Sequence, residues 1–187
     1  MLAYHTALQF HGKAHSVSRR FTYLTLTCAR PFEFRGIEFT PVPVPPPLRT
    51  LTDFGGGVVR KHRGGLPVRV TTLERTLVDV LDASRHGGGW EEIWRSLESV
   101  EFFDLDAVLD YVAKLGSAVT AARVGFFLEQ HRDPLMVEDQ HLARLQAQAP
   151  SHPMYLERSR REPGRLLARW KLVVPERVLN RTWAEFS

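Results

Sequence analysis

The residues able to do chemistry fall in a few short groups along this 187-residue chain. Asp104-x-Asp106 follows Val100-Glu101-Phe102-Phe103. A strand ending in D-x-D can hold Mg²⁺ for nucleotidyl transfer, because two carboxylates then share one cation. Gly116-Ser117 could supply the phosphate-gripping pair of such an enzyme, yet there Gly-Ser precedes D-x-D and here it follows. The same aspartates suit a helix start, where the positive end of the helix dipole favours carboxylates. His5, His11 and His15 cluster in sequence. A helix would point His5 and His11 apart, and Gly12 would end it before His15. Cys28 has no Cys or His at ligand spacing and no base marked out beside it. Gly55 to Gly57 could cradle phosphate only ahead of a helix N-terminus, and a strand-like run follows instead. The expectation is a non-enzymatic protein with no catalytic residues, no metal and no cofactor.

Charge points to a different class of partner. Lys and Arg number 25 against 21 Asp and Glu, a formal net charge of +4, which permits contact with nucleic acid or another acidic partner. The basic residues gather in Arg60, Lys61, His62 and Arg63, and again in Arg158, Arg160, Arg161, Arg165, Arg169 and Lys171. Either group could touch phosphate without reading bases, and either could be a solvated loop. Neither carries the interleaved aromatics of a single-strand stacking platform. No helix-turn-helix pattern is present to enter a groove.

The elements that must position these groups centre on Val68 to Ala83, a strand running directly into a helix. Thr71 and Glu74 have capping-box spacing. Leu73, Leu77, Val80 and Leu81 then recur at helical period, while Arg75, Asp79 and Asp82 lie off that stripe, so the helix is expected to bury one side. Before it, Met1 to Phe10 reads as a short helix stopped by Gly12, and Phe21 to Cys28 as a strand. Phe32 to Phe34 and Ile37 to Phe39 form a hairpin around Arg35-Gly36. Pro41, Pro43 and Pro45 to Pro47 end it, making Thr40 to Leu48 an edge or an extended crossing segment. Val58 to His62 and Leu66 to Val70 form a second hairpin around Arg63-Gly64-Gly65.

From Gly89 the periodicity is helical. Trp90, Ile93, Trp94 and Leu97 make one face. Leu105, Val108, Leu109 and Val112 make the next, with Asp104 as N-cap and Gly116 as stop. Val119, Ala122, Phe126 and Phe127 follow, ended before Pro134, then Leu142 and Leu145. Leu166 to Val174 alternates as one late strand pairing into the earlier sheet, and Trp183 and Phe186 are left to dock or to meet a partner. The fold class is α+β, with antiparallel strands and hairpins packed against a C-terminal helical group and closed by a late strand.

At 43% hydrophobic the chain can bury a real core as a single domain over residues 1–187, mixed helix and strand over 1–85, helical over 86–150, closing strand and tail over 151–187. One cysteine fits a reducing compartment such as the cytoplasm. No apolar run is long enough to span a membrane, and no secretory signal is visible.

Four segments, in order, carry a family resemblance. Y-H-T-A-L-Q-F-H-G (Tyr4 to Gly12), V-R-V-T-T-L-E-R-T-L-V-D-V-L-D (Val68 to Asp82), L-D-Y-V-A-K-L-G-S-A-V-T-A-A-R-V-G-F-F-L-E (Leu109 to Glu129) and Arg169-Trp170-Lys171-Leu172 together resemble the AbiEi family, over about Met1 to Val174. The E-R-T-L-V-D core, Glu74 to Asp79, is its most specific piece. These are abortive-infection antitoxins of type IV toxin–antitoxin systems. The resemblance implies a two-part protein: an N-terminal winged helix that binds and represses the operon's own promoter, and a C-terminal domain that provides antitoxicity. The toxin is a nucleotidyltransferase-like enzyme with which the antitoxin need not form a stable complex. This sequence resembles the C-terminal part and opens on the helix that follows the winged helix. Antitoxicity is therefore the expectation, with operator DNA a less supported partner. No catalytic residue carries over.

Overall fold

Met1 to Ala3 lies extended between two strands rather than in a helix. The computed structural model describes residues 1–157 and 161–183; Arg158, Arg160 and Phe186 lie outside the described residues. Leu2 bridges Tyr23 on one side and Val70 on the other. Tyr4 then takes a left-handed φ of 56°, so α1 starts only at the next residue (His5–Phe10). Gly12, at φ +70°, follows its end as expected.

Strands β1 (Arg20–Thr25), β2 (Phe32–Phe34) and β3 (Ile37–Pro43) form one sheet in the order β1-β3-β2. The β2–β3 hairpin turns at Arg35-Gly36 as expected, and β1 pairs with β3 in parallel. Of the proline-rich stretch, Thr40 to Pro43 continues β3 paired with β1 alone, open on its other side as an edge is, and Pro46–Leu48 forms a 3₁₀ turn. Parity makes the prolines compatible with that pairing. Glu38 and Val44 donate their N–H groups to Arg19 and Thr25, on the β1 side. Pro41 and Pro43 turn their nitrogens the other way, where pairing with β2 has already ended at Phe39.

The second hairpin, β4 (Val58–Arg63) and β5 (Leu66–Thr71), turns on Gly64 and Gly65, both at positive φ. β5 runs into α2 (Leu73–Asp82), but the cap sits one residue later than Thr71. Thr72 accepts the Arg75 N–H at 3.4 Å, while Thr71 ends the strand and places its hydroxyl 2.7 Å from that of Thr76. The pairing of β5 with β4 extends to Thr71, which denies it the cap geometry, and Glu74 falls at a first-turn position where its charge suits the dipole.

The helical group follows the expected faces: α3 (Trp90–Glu98), α4 (Leu105–Leu115), α5 (Ala118–Gln130) and α6 (Asp139–Gln146). Asp104 caps α4 by accepting the Ala107 N–H at 3.1 Å, and left-handed Gly116 ends it. On α5, Arg123 closes the C-terminus of α2 by donating to the Leu81 and Asp82 carbonyls at 3.1 and 2.6 Å. The late strand is two: β7 (Arg165–Leu167) and β8 (Leu172–Val174) form a hairpin, and β6 (Met154–Tyr155) pairs with β8 in a sheet separate from the first. Left-handed Lys171 makes the reversal without a glycine, and Trp170 turns inward to full burial, so the alternating pattern continues across a turn. A last helix, α7 (Glu176–Leu179), lays Val178 on the core, and Trp183 packs against it. One continuous apolar cluster joins α1, β1, β3, α2 to α6 and β8. The architecture is α+β.

Candidate functional site

Three charged or polar side chains from the most specific stretch and its neighbour meet in the core. Arg75 and Asp79, one turn apart on α2, are both buried, at 1% and 3% exposure. Arg75 Nε donates to Asp79 Oδ2 at 3.4 Å, and the Tyr111 hydroxyl on α4 donates to Asp79 Oδ1 at 2.7 Å. The guanidinium lies 4.9 Å from the centre of the Tyr111 ring and donates to the Asp53 and Gly56 carbonyls at 3.2 and 2.6 Å. Burial pushes the Asp79 carboxyl up to about 6, against the opposing pull of Arg75 and Tyr111. The Tyr111 hydroxyl is pushed above its ordinary range by the same burial and by Asp79.

Gly55 to Gly57 is the seat of this network, not a phosphate cradle. All three glycines have positive φ. A Cβ on Gly57 would come 2.9 Å from that of Arg75, and the Gly55 carbonyl accepts Lys114 Nζ at 3.2 Å. The loop's carbonyls, rather than its N–H groups, face the charge.

The other candidates take structural places. Asp104 is the α4 cap, and Asp106 pairs with Arg144 of α6 at 2.9 Å. The three histidines diverge: His5 Nε2 meets Glu92 at 2.9 Å, His11 Nε2 meets the Thr71 carbonyl at 2.7 Å, and His15 is exposed. Among the described residues, no three His, Cys, Asp or Glu side chains come together as a metal-binding group. Cys28 is exposed.

The two basic clusters differ. Arg60, Lys61 and Arg63 all stand exposed on β4. Lys61 Nζ approaches His11 Nδ1 at 3.3 Å, and Arg63 lies over the Phe10 ring at 5.7 Å. Burial, with Lys61 nearby, holds the His11 pKa below its ordinary value despite the bond to Thr71. Arg60 sits directly across from Arg69, whose charge Asp53 meets. The second cluster is dispersed. Arg169 pairs with Glu129 at 2.7 Å, Arg161 lies over Tyr155, Arg165 is exposed at the start of β7, and Lys171 is half-buried in the turn.

Two clefts meet along Ser16 to Arg19. The first, about 710 Å³, is lined by Arg19, Arg20 and Arg85 and by Glu33, Glu38 and Glu92. Arg20 pairs with Glu38 at 3.0 Å, and burial of Glu92, which would raise its pKa, is outweighed by donors from Ser16, His5 and Ser96. His86 in its wall is pushed down to about 4 by burial and the neighbouring Arg85. The second cleft, about 700 Å³, is lined by Arg19, Arg35 and Arg63 and by no carboxylate. Arg19 and Arg35 lie outside both sequence clusters; Arg35 reads as a turn residue and Arg19 as half of a basic pair before a strand, so only the fold brings them to Arg63.

Compared with protein-family models, with curated proteins and with solved structures, the chain matches none of them. Among the described residues, no helix is long and apolar enough to cross a membrane.

Proposed function

We propose that this chain is a non-enzymatic antitoxin and regulator domain of AbiEi type, acting in the cytoplasm against a nucleotidyltransferase-like toxin. One observation carries the reading. The four resembling segments, far apart in sequence, meet in one core. Tyr111 of the third holds Asp79 of the second. Thr120 of the third hydrogen-bonds Asp82 of the second. Trp170 of the fourth donates its indole N–H to Glu129 of the third at 2.6 Å. Tyr4 of the first packs in the same cluster, its hydroxyl held above its ordinary range by burial and then by Asp79 and Asp82. A resemblance confined to a shared framework is what a common fold would leave.

Co-expression with the toxin encoded beside it tests the reading. Growth restored by this 187-residue form is the expected result; continued toxicity with the protein soluble and abundant would sink it. A second reading, a module contacting the phosphate backbone of operator DNA, is favoured by the exposure of Arg60, Lys61 and Arg63 on one hairpin. It predicts promoter binding that weakens steeply with salt, and no shift of promoter DNA at low salt removes it.

A further inference from the structure

The sheet β1-β3-β2 has one face on the core and one face to solvent. Alternation sends Thr22, Leu24 and Val42 inward, where all three are buried. It sends Phe21, Phe39 and Phe32 outward, in register across the three strands. Phe21 meets Phe39 edge-on at 5.6 Å, and Phe39 and Phe32 stack at 4.8 Å with planes 4° apart. β2 is the sheet edge, so no further strand covers the other side of Phe32, which is 52% exposed; Phe34 on the same strand is 58% exposed. None of these four phenylalanines belongs to the apolar core or packs against it. An aromatic ladder of this kind on an outer sheet face marks a contact surface.

The charge around the ladder has one sign. The carboxylates of the sheet, Glu33 and Glu38, alternate to the opposite face. Phe21 forms part of the wall of the second cleft, with Arg19, Arg35 and Arg63 around it and no carboxylate. None of the three arginines has an ion pair among the described residues. Arg35 lies over the Phe34 ring at 5.3 Å, and Arg63 over Phe10 at 5.7 Å. Flat rings with an open stacking end, beside unpaired guanidiniums, suit a ligand that alternates flat bases with phosphates. A duplex hides its bases inside its own stack and cannot use the rings.

We propose that this face binds a single-stranded nucleic acid, with bases stacked on Phe32 and Phe34 and phosphates held by Arg19, Arg35 and Arg63. The proposal stands on the surface itself and is independent of the antitoxin reading.

Fluorescence anisotropy with a labelled oligouridylate of ~10 nucleotides tests it at low salt. Phe32→Ala and Phe34→Ala should each weaken binding by roughly 5- to 150-fold, the range for loss of one stacked base. Phe32→Trp and Phe34→Trp should keep the affinity and show quenched emission. Arg19→Gln, Arg35→Gln and Arg63→Gln should each flatten the salt dependence by about 0.7 per lost phosphate contact. No binding by the wild-type protein overturns the proposal, as does full affinity in both Phe→Ala variants. Phe-dependent binding to anionic phospholipid vesicles without RNA binding assigns the face to a membrane surface and overturns it too.

Discussion

Tyr111 on α4 donates its hydroxyl hydrogen to Asp79 Oδ1 on α2 across 2.7 Å, and Arg75 holds the other oxygen of the same carboxylate. The bond crosses between helices in a region where both side chains are buried, so each group depends on the others for its solvation. Arg75→Ala leaves Asp79 without its cation and strands the carbonyls of Asp53 and Gly56. Removal of one partner from a buried pair costs about 3–5 kcal/mol. Tyr111→Phe removes one hydrogen bond to a charged acceptor and should cost about 1.5–3 kcal/mol. Replacing the pair together, Arg75→Met with Asp79→Leu, should cost clearly less than the two single losses added, because no charge is then left alone. Urea denaturation of Arg75→Ala, Tyr111→Phe, the single variants Arg75→Met and Asp79→Leu and their double measures this; strict additivity in the Arg75–Asp79 cycle would show that the two groups do not act together.

The same carboxylate gives stability a pH dependence of defined sign. Asp79 has an ordinary value of 3.8 and is pushed up to about 6 by burial. The folded protein therefore holds the proton more tightly than the unfolded chain. The contribution is full below pH 3.8 and is lost as pH rises through about 6. At about 1.4 kcal/mol for each tenfold change in proton affinity, the loss is on the order of 2–3 kcal/mol. His86 runs the other way. Pushed down to about 4 from 6.5, it favours folding above 6.5 and loses that contribution as pH falls through 4. The two slopes overlap, so the quantity to measure is the difference between wild type and Asp79→Asn by denaturant titration at several pH values. Wild type should lose ground to the variant as pH rises from 4 to 6.5; a gain would contradict a raised Asp79.

Asp104 separates a helix-capping role from a metal-binding one. Its side chain accepts the Ala107 N–H at 3.1 Å at the start of α4. Asp104→Ala should cost about 1 kcal/mol, and Asp104→Asn or Asp104→Ser much less, because each keeps a cap acceptor. Asp106→Ala should change stability by less than about 1 kcal/mol, since its partner Arg144 is at the surface. Thermal melts with and without Mg²⁺ are the check. A melting temperature that rises with Mg²⁺ in the wild type and not in Asp104→Ala would restore the carboxylate-pair reading.

Local signals account for what was legible in the sequence. Trp90, Ile93, Trp94 and Leu97 all lie in the core, and Asp104 and Gly116 bound α4, because a helical period and its caps are written within a dozen residues. Arg75 and Asp79 were legible only as residues off the apolar stripe. Their burial follows from the glycine loop and Tyr111 covering the second side of α2, contacts of 19 and 32 residues' separation. In F-T-Y-L-T, aromatic and aliphatic residues occupy both parities, so alternation could not say that Leu24 faces in and Phe21 out. The cationic cleft was hidden because Arg19 and Phe21, Arg35, and Arg63 come from three separate segments.

The turn at Trp170 shows the same dependence on a distant partner and yields the sharpest packing test. Gly125 lies inside α5, where alanine is ordinarily the better helix former by about 1 kcal/mol. A Cβ there would sit 2.7 Å from Trp170 Cε3 and nearer still to Cζ3 and Cη2. The indole cannot retreat, since it is fully buried and its N–H is held by Glu129 at 2.6 Å. Gly125→Ala should therefore destabilise by about 1–3 kcal/mol or more, the cost of overpacking. Trp170→Ala should cost about 3–5 kcal/mol through the cavity it leaves. In that background the sign of Gly125→Ala should reverse, because the new methyl enters empty space and the helix propensity is recovered. Denaturant melts of the two single variants and the double variant test this, and a Gly125→Ala that stabilises the wild-type protein would show that Trp170 does not rest on α5.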